Sequence, residues 1–145
     1  MDDIVKHSIK QFKGQYRWLS NFWLSPVIFE GVVYPTVENA YQAAKLKLNC
    51  DRFPFINCSP GRAKEMGQMV SRRGWDKLKL SVMHKLLRCK FRNGSYLAEK
   101  LKATGNTEII EGNDWGDTFW GVYDGVGENH LGKMLMLVRV ELLKK

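Results

Sequence analysis

Val27-Ile28-Phe29-Glu30-Gly31-Val32-Val33-Tyr34-Pro35-Thr36-Val37-Glu38-Asn39-Ala40-Tyr41-Gln42-Ala43-Ala44-Lys45 changes its hydrophobic period halfway along. Up to Tyr34, β-branched and aromatic residues flank Glu30-Gly31, the pattern of two short strands joined by a tight turn. After Pro35, Thr36 is a good N-cap and the following residues space like a helix, predicted to run to about residue 48. A hairpin feeding directly into a helix makes the fold class α+β.

Outward from this stretch, helices dominate. Residues 8–14 alternate weakly and predict a short strand. Residues 57–61 read as loop, with a short helix after them to about residue 70. Trp75, Leu78, Val82, Met83, Leu86 and Leu87 recur at three- and four-residue spacing and predict a helix from 75 to about 91. Asn93-Gly94 stops it, and another helix follows to about residue 103. Residues 107–110 predict a small strand, and 112–127 a glycine-rich loop. A last helix over about 128–143 should bury Leu131, Leu135, Val138 and Leu142. No repeat, low-complexity run or linker divides the 145 residues, so the expectation is one α+β domain over 1–145, mostly helical with a small β-sheet.

Composition excludes several classes. Hydrophobic residues at 44% and charged residues at 26% are the balance of a folded globule and not of a disordered chain. There is no run of 18 apolar residues to span a membrane, and the first ten residues lack the apolar stretch of a secretory leader. Cys50, Cys58 and Cys89 form neither a disulfide framework nor a zinc pattern. A cytoplasmic setting is expected. The net charge of +8 is uneven: residues 61–102 carry twelve Lys/Arg against Glu65, Asp76 and Glu99, while residues 103–145 are net acidic. A basic middle attracts anions, or is simply a solvated helix face.

Three segments carry chemistry. On a helix, Glu38, Tyr41, Gln42 and Lys45 fall at i, i+3, i+4 and i+7 and share one face, while Val37, Ala40, Ala44 and Leu48 share another. The aligned carboxylate, phenol, amide and amine form a candidate reactive stripe; alternatively Glu38 only complements the helix dipole and Lys45 is solvated. Glu111-Gly112-Asn113-Asp114-Trp115-Gly116-Asp117-Thr118-Phe119-Trp120-Gly121 interleaves acids with tryptophans in a glycine-rich loop. That suits a pocket that stacks on a planar ring and presents acid beside it, or aromatics that merely seal a core. Gly127-Glu128-Asn129-His130-Leu131-Gly132-Lys133-Met134 imitates a phosphate loop but lacks its hydroxyl, and too little chain follows it for a nucleotide triphosphatase domain. What remains is a glycine-rich turn into a helix start, able to offer backbone N–H groups to an anion or to be a plain helix start. His7, His84 and His130 have no partners at ligand spacing, so no metal site is expected. Arg62, Lys64, Arg72 and Arg73 are equal candidates for phosphate contacts.

Together these residues resemble the YbiA-like family, also called NADAR. The resemblance runs through Leu19-Ser20-Asn21-Phe22, residues 34–45 and Ser59-Pro60-Gly61-Arg62-Ala63-Lys64. It continues through Met66-Gly67, Trp75, Met83, Lys90-Phe91, Glu111, Asp117-Thr118-Phe119-Trp120-Gly121 and Gly127-Glu128-Asn129-His130-Leu131-Gly132. It implies an N-glycosidase; no cofactor is expected. The implied substrates are phosphoribosyl-amine intermediates of riboflavin synthesis or ADP-ribose-like compounds such as ADP-ribosylated guanine, extending to ADP-ribosylated nucleic acid. It places Glu38, Asp117 and Trp120 in the active site, with Lys45 and Trp75 close by. Asn21, Tyr41, Gln42, Glu111, Gly121, Gly127 and Asn129 are its further substrate-binding candidates. Two departures bear on substrate choice: the loop from Glu111 to Asp117 is one residue longer than the family pattern, and Asn39 stands where a histidine is common.

Two functional classes follow. In the first, a carboxylate stabilises the cation that builds up at the anomeric carbon and activates water, a second acid protonates the leaving base, and a tryptophan stacks on it. Lys45 forming an imine with the opened sugar is the variant mechanism. In the second, the chain is a non-catalytic module binding nucleotide or nucleic acid through residues 61–102. That class explains the charge but neither the acid-and-tryptophan loop nor the Glu38 stripe.

Overall fold

The computed structural model describes residues 7–144; the leader expectation for the first residues falls mostly outside them. In chain order the elements are β1 (Ser8–Ile9), β2 (Val27–Phe29), β3 (Val32–Tyr34), α1 (Val37–Ala43), α2 (Pro60–Gln68), α3 (Trp75–Lys90), α4 (Tyr96–Ala103), β4 (Glu108–Ile109), β5 (Gly112–Asn113), β6 (Val122–Tyr123) and α5 (His130–Leu143). The architecture is α+β. The strands form three separate two-stranded pairs and not one sheet: β2–β3 antiparallel, β1–β4 and β5–β6 parallel. Among the described residues no helix is long and apolar enough to cross a membrane. The chain packs as two compact units, one formed by residues 21–92 and the other by residues 7–20 with 93–144.

In the 21–92 unit the hairpin turns where expected. Glu30 and Gly31 both have positive φ, 48° and 83°, as a two-residue turn matched to strand twist requires. Val27, Phe29 and Tyr34 point inward, while the cross-strand pair Ile28 and Val33 faces solvent. Thr36 caps α1 by accepting from Asn39 N–H at 3.0 Å and donating to Asn39 Oδ1 at 2.6 Å. The Asn39 amide in turn donates to the carbonyls of Phe55 and Cys58, both at 2.9 Å, which pins the loop after α1 to the helix.

Helix α1 ends at Ala43, five residues before the expected point. Carbonyls past its end are met from elsewhere in the chain: Arg72 Nη1 donates to Ala44 O at 2.7 Å and Arg52 Nε to Leu46 O at 2.8 Å. Two guanidiniums thus take carbonyls that another helical turn would need. Helix α3 starts and stops as expected, but only the second half of its apolar face is covered. Met83, Leu86 and Leu87 are buried, Trp75 and Val82 are half-buried, and Leu78 is exposed.

In the other unit, β1 is only two residues long, and residues 14–19 form a 3-10 turn that buries Trp18 and Leu19. Ile9 pairs with Ile109 across β1–β4, both buried. Helix α5 covers that pair with Leu131, Leu135, Val138 and Leu142 inward as expected, beginning at His130 and not 128.

Candidate active site

In the 21–92 unit, Glu38 occupies the first turn of α1 and is almost wholly buried. Its backbone N–H donates to Asn21 O at 3.0 Å, and its Oε2 accepts from Gln42 Nε2 at 2.6 Å. A short bond of this kind to a carboxylate fixes one rotamer and strengthens the charge it serves. Lys45, just beyond the helix end, donates from Nζ to Gly67 O at 3.3 Å and lies 5.7 Å from the Tyr41 ring centroid. Burial pushes its amine below the usual lysine range; the Glu38 carboxylate opposes that shift and Lys79 adds to it. Tyr41 meets Trp75 at 5.3 Å between centroids, a tilted aromatic pair at the start of α3. Of the stripe expected on α1, Glu38, Tyr41 and Gln42 lie on the helix and Lys45 just past its end, with Glu38 bonded to Gln42, Lys45 near the Tyr41 ring and Trp75 beside Tyr41. Asn21 is buried next to it, its amide donating to Met83 Sδ at 3.6 Å.

In the other unit, Asp117 organises the acid-and-tryptophan loop. Its Oδ1 accepts from Phe119 N at 3.0 Å and Trp120 N at 2.9 Å. Asn113 clamps the same residue, accepting from Asp117 N at 3.0 Å and donating to Asp117 O at 2.8 Å. Trp120 is half-buried and edge-on to Phe119, which stacks against His130 at 4.5 Å. Trp115 by contrast is 54% exposed. Gly121 is buried under Glu111, where a Cβ would strike the Glu111 carbonyl and carboxylate. Gly127 is equally constrained, since a Cβ there would strike Gly121 O. Asn129 sits at φ 53° with its side chain used internally: Oδ1 accepts from Glu111 N at 2.9 Å and Nδ2 donates to Ile109 O at 3.0 Å.

The expected anion cradle at the start of α5 is not formed. Glu128, Asn129, His130 and Leu131 give their N–H groups to the carbonyls of Thr118, Gly121, Phe119 and Trp120 at 2.8–3.2 Å. The Asp117 loop caps this helix, so the donors that would meet a phosphate are spent. An open cleft of about 490 Å³ in the same unit is lined by Lys10, Lys13, Asp114 and Asp124 among others, and by none of the expected site residues. Among the described residues no three His, Cys, Asp or Glu gather as a metal-ligand set.

The basic stretch is also partly committed. Arg62, Lys79 and Lys102 pair with Glu65, Asp76 and Glu99 at 3.7, 3.1 and 2.7 Å. Arg72 is tied to Ala44, and Lys90 is buried, which pushes its amine down to about 7. Gly67 was marked only as part of the family resemblance and Asn113 only as part of the 111–121 segment, neither for a role of its own, and Arg72 drew attention only for its charge. A missing Cβ, or an amide aimed at a distant backbone, leaves no local pattern.

The 21–92 unit thus holds a buried, amide-bonded carboxylate near a desolvated amine, and the other unit a carboxylate in a capped aromatic loop. The model of the NADAR domain matches residues 9–143, and the chain belongs to that family. It is 35% identical to the N-glycosidase YbiA of Escherichia coli (strain K12) over 132 residues, 88% of this chain and 82% of that one. It is 34% identical to an N-glycosidase of Nostoc punctiforme over 88% of this chain and 86% of the other. A riboflavin biosynthesis protein of Vibrio vulnificus is 35% identical over 86% of this chain, which spans only 35% of that protein's length. The NMR structure of Escherichia coli YbiA superposes with a TM-score of 0.81 at 30% identity, covering 97% of this chain and 90% of that one. The chain is accordingly an enzyme of the N-glycosidase class, and the non-catalytic module expected as the alternative is set aside.

Proposed function

We propose that this chain is a metal-independent hydrolase of N-glycosidic bonds in nucleotide-like small molecules, either ADP-ribose-like compounds such as ADP-ribosylated guanine or phosphoribosyl amines. ADP-ribosylated nucleic acid is the larger form of the first class, and the cytoplasm is the compartment that supplies both. Residues 1–145 act as one catalytic domain. The observation that carries the proposal is the buried Glu38 carboxylate held by Gln42 at 2.6 Å, with the Lys45 amine close enough to feel its charge.

Cleavage breaks the bond between the anomeric carbon and the base nitrogen, whose electron pair leaves with the base. Positive charge then builds at the sugar, and a fixed, water-shielded carboxylate stabilises it. Glu38 takes a proton from the water whose oxygen bonds to the anomeric carbon. The departing nitrogen needs a proton, and Asp117 is the acid that the family resemblance proposes for it; within its own unit that carboxylate spends Oδ1 on its loop. The Tyr41–Trp75 pair supplies a flat surface on which a base stacks, and Trp120 is the further aromatic that the family resemblance proposes. Asn21 and Gln42 in the one unit, and Glu111, Gly121, Gly127 and Asn129 in the other, shape their surroundings, with Asn21 bonded to Met83, Gln42 to Glu38 and Asn129 to Ile109 and Glu111.

The test is incubation with a panel of ADP-ribosylated guanine nucleotides and phosphoribosyl-pyrimidine amines, products being identified by mass. Glu38→Gln keeps the fold and removes the charge, and should slow turnover about a hundredfold or more, ~3 kcal/mol of transition-state stabilisation. Turnover of a panel compound at equal rates in parent and variant removes Glu38 from the mechanism. Reductive trapping of a sugar adduct on Lys45 would select the imine route instead.

A further inference from the structure

Gly67, in the last turn of α2, meets the Glu38 site at two atoms. Its carbonyl accepts from Lys45 Nζ at 3.3 Å as well as from Val70 N at 3.1 Å. Its Cα faces the Gln42 amide so closely that a Cβ would fall on Gln42 Oε1 and collide with the carbons behind it. The hydrogen that takes the place of that Cβ therefore points at Oε1. This explains why Oε1 is buried with no N–H or O–H donor among the described residues, since a Cα–H contact is what the slot leaves room for. The other end of the same amide donates to Glu38 Oε2. Gln42 is 4% exposed and Gly67 is buried, so the amide has nowhere to swing if the slot closes.

We propose that Gly67 is a positioning residue of the active site: its missing side chain is the slot that seats the Gln42 amide, and that amide sets the rotamer of Glu38. Its carbonyl anchors Lys45 at the same time. The inference rests on the reading of Glu38 as the catalytic carboxylate. A glycine within a helix is otherwise a liability, because alanine is the better helix former wherever it fits. Gly61 on the same helix makes the comparison, as a Cβ there meets only Ser59 Oγ at 4.0 Å.

Gly67→Ala keeps the carbonyl and fills the slot, so its effect travels through Gln42. Without any substrate, the side-chain amide signals of Gln42 in NMR spectra should move in Gly67→Ala and stay in place in Gly61→Ala. On the panel compound that the parent hydrolyses, Gly67→Ala should lower kcat at least tenfold with KM within threefold, while Gly61→Ala retains the parental rate. Gln42→Ala should also lower kcat, and in the Gln42→Ala background Gly67→Ala should cost less than threefold more, because the group it displaces is already gone. That double variant also restores room, so it folds even where Gly67→Ala alone does not, and comparison with Gln42→Ala then decides. Gly67→Ala at the parental rate with Glu38→Gln inactive overturns this inference alone. Equal costs of Gly67→Ala in the two backgrounds overturn it as well. Glu38→Gln at the parental rate overturns both this inference and the function on which it rests.

Discussion

Asn129 joins three parts of its unit, and truncating it should cost far more stability than activity. The side chain bridges Ile109 O at 3.0 Å and Glu111 N at 2.9 Å, and the residue is buried at φ 53°. Asn129→Ala removes both bonds, each worth about 1 kcal/mol net, and leaves the buried Ile109 carbonyl without that donor for roughly another 1 kcal/mol. Alanine in the left-handed region adds about 1 kcal/mol that asparagine tolerates better. The total is ~3–4 kcal/mol, or about 10 °C in Tm for a chain of this size. Asn129→Gly loses the same bonds but accepts the positive φ, so it should be about 1 kcal/mol more stable than Asn129→Ala, the reverse of their order inside a helix. Urea unfolding and thermal melts measure both variants, and KM is read at a temperature well below both transitions. A melt within ~1 kcal/mol of the parent for Asn129→Ala, or glycine falling below alanine, refutes the bridging role. An unchanged melt with a raised KM would make Asn129 a substrate contact.

Two further predictions join those for Glu38 and Gly67. Lys90 is buried with its amine down to about 7, whereas the unfolded chain holds that proton to its ordinary value of 10.5. Between those two values the unfolded state binds more protons, so stability should rise with pH across that window, by up to ~1.4 kcal/mol per pH unit from this group; Lys90→Met should flatten the rise in denaturant melts taken at pH 6 to 10. Asp117→Asn keeps an Oδ1 to cap Phe119 and Trp120, so its melt should stay within ~1 kcal/mol of the parent while turnover falls at least tenfold. Parental turnover in a folded Asp117→Asn would confine Asp117 to its capping role.

Much of the fold was legible because its signals are local. The Glu30-Gly31 turn, the Thr36 cap, the span of α3 and the buried leucines of α5 each depend on residues within a few positions of one another. The parallel pairs were not legible, since Ile9 meets Ile109 across a hundred residues and each strand is only two residues long. The α5 start left two readings open, an anion cradle or a plain helix start. The carbonyls that fill it, from the Asp117 loop eight to eleven residues earlier, decide for the second. The Glu38–Gln42 pairing was visible as helical spacing. The slot at Gly67 was not, because a glycine's missing atom matters only to whatever side chain approaches it in space.

Lys45 shows how a wrong boundary can leave a spatial relation intact. Placing it seven residues from Glu38 on one helical face assumed a helix through residue 48, yet α1 stops at Ala43. Ala44 keeps right-handed dihedrals, φ −64° and ψ −16°, and Lys45 N bonds to Gln42 O at 3.2 Å, so the chain makes one tighter turn before leaving the axis. From there the Lys45 side chain still reaches Gly67 O and the neighbourhood of the Tyr41 ring. What the early stop changes is the cap. The Ala44 carbonyl now needs a donor, and Arg72 supplies it from the segment that leads into Trp75, whose own N–H bonds to Arg72 O at 3.0 Å. One arginine thereby fixes both the end of the Glu38 helix and the start of the Trp75 helix. With its Nη1 committed there, it is the least suited of the four phosphate candidates to release its hold for a substrate.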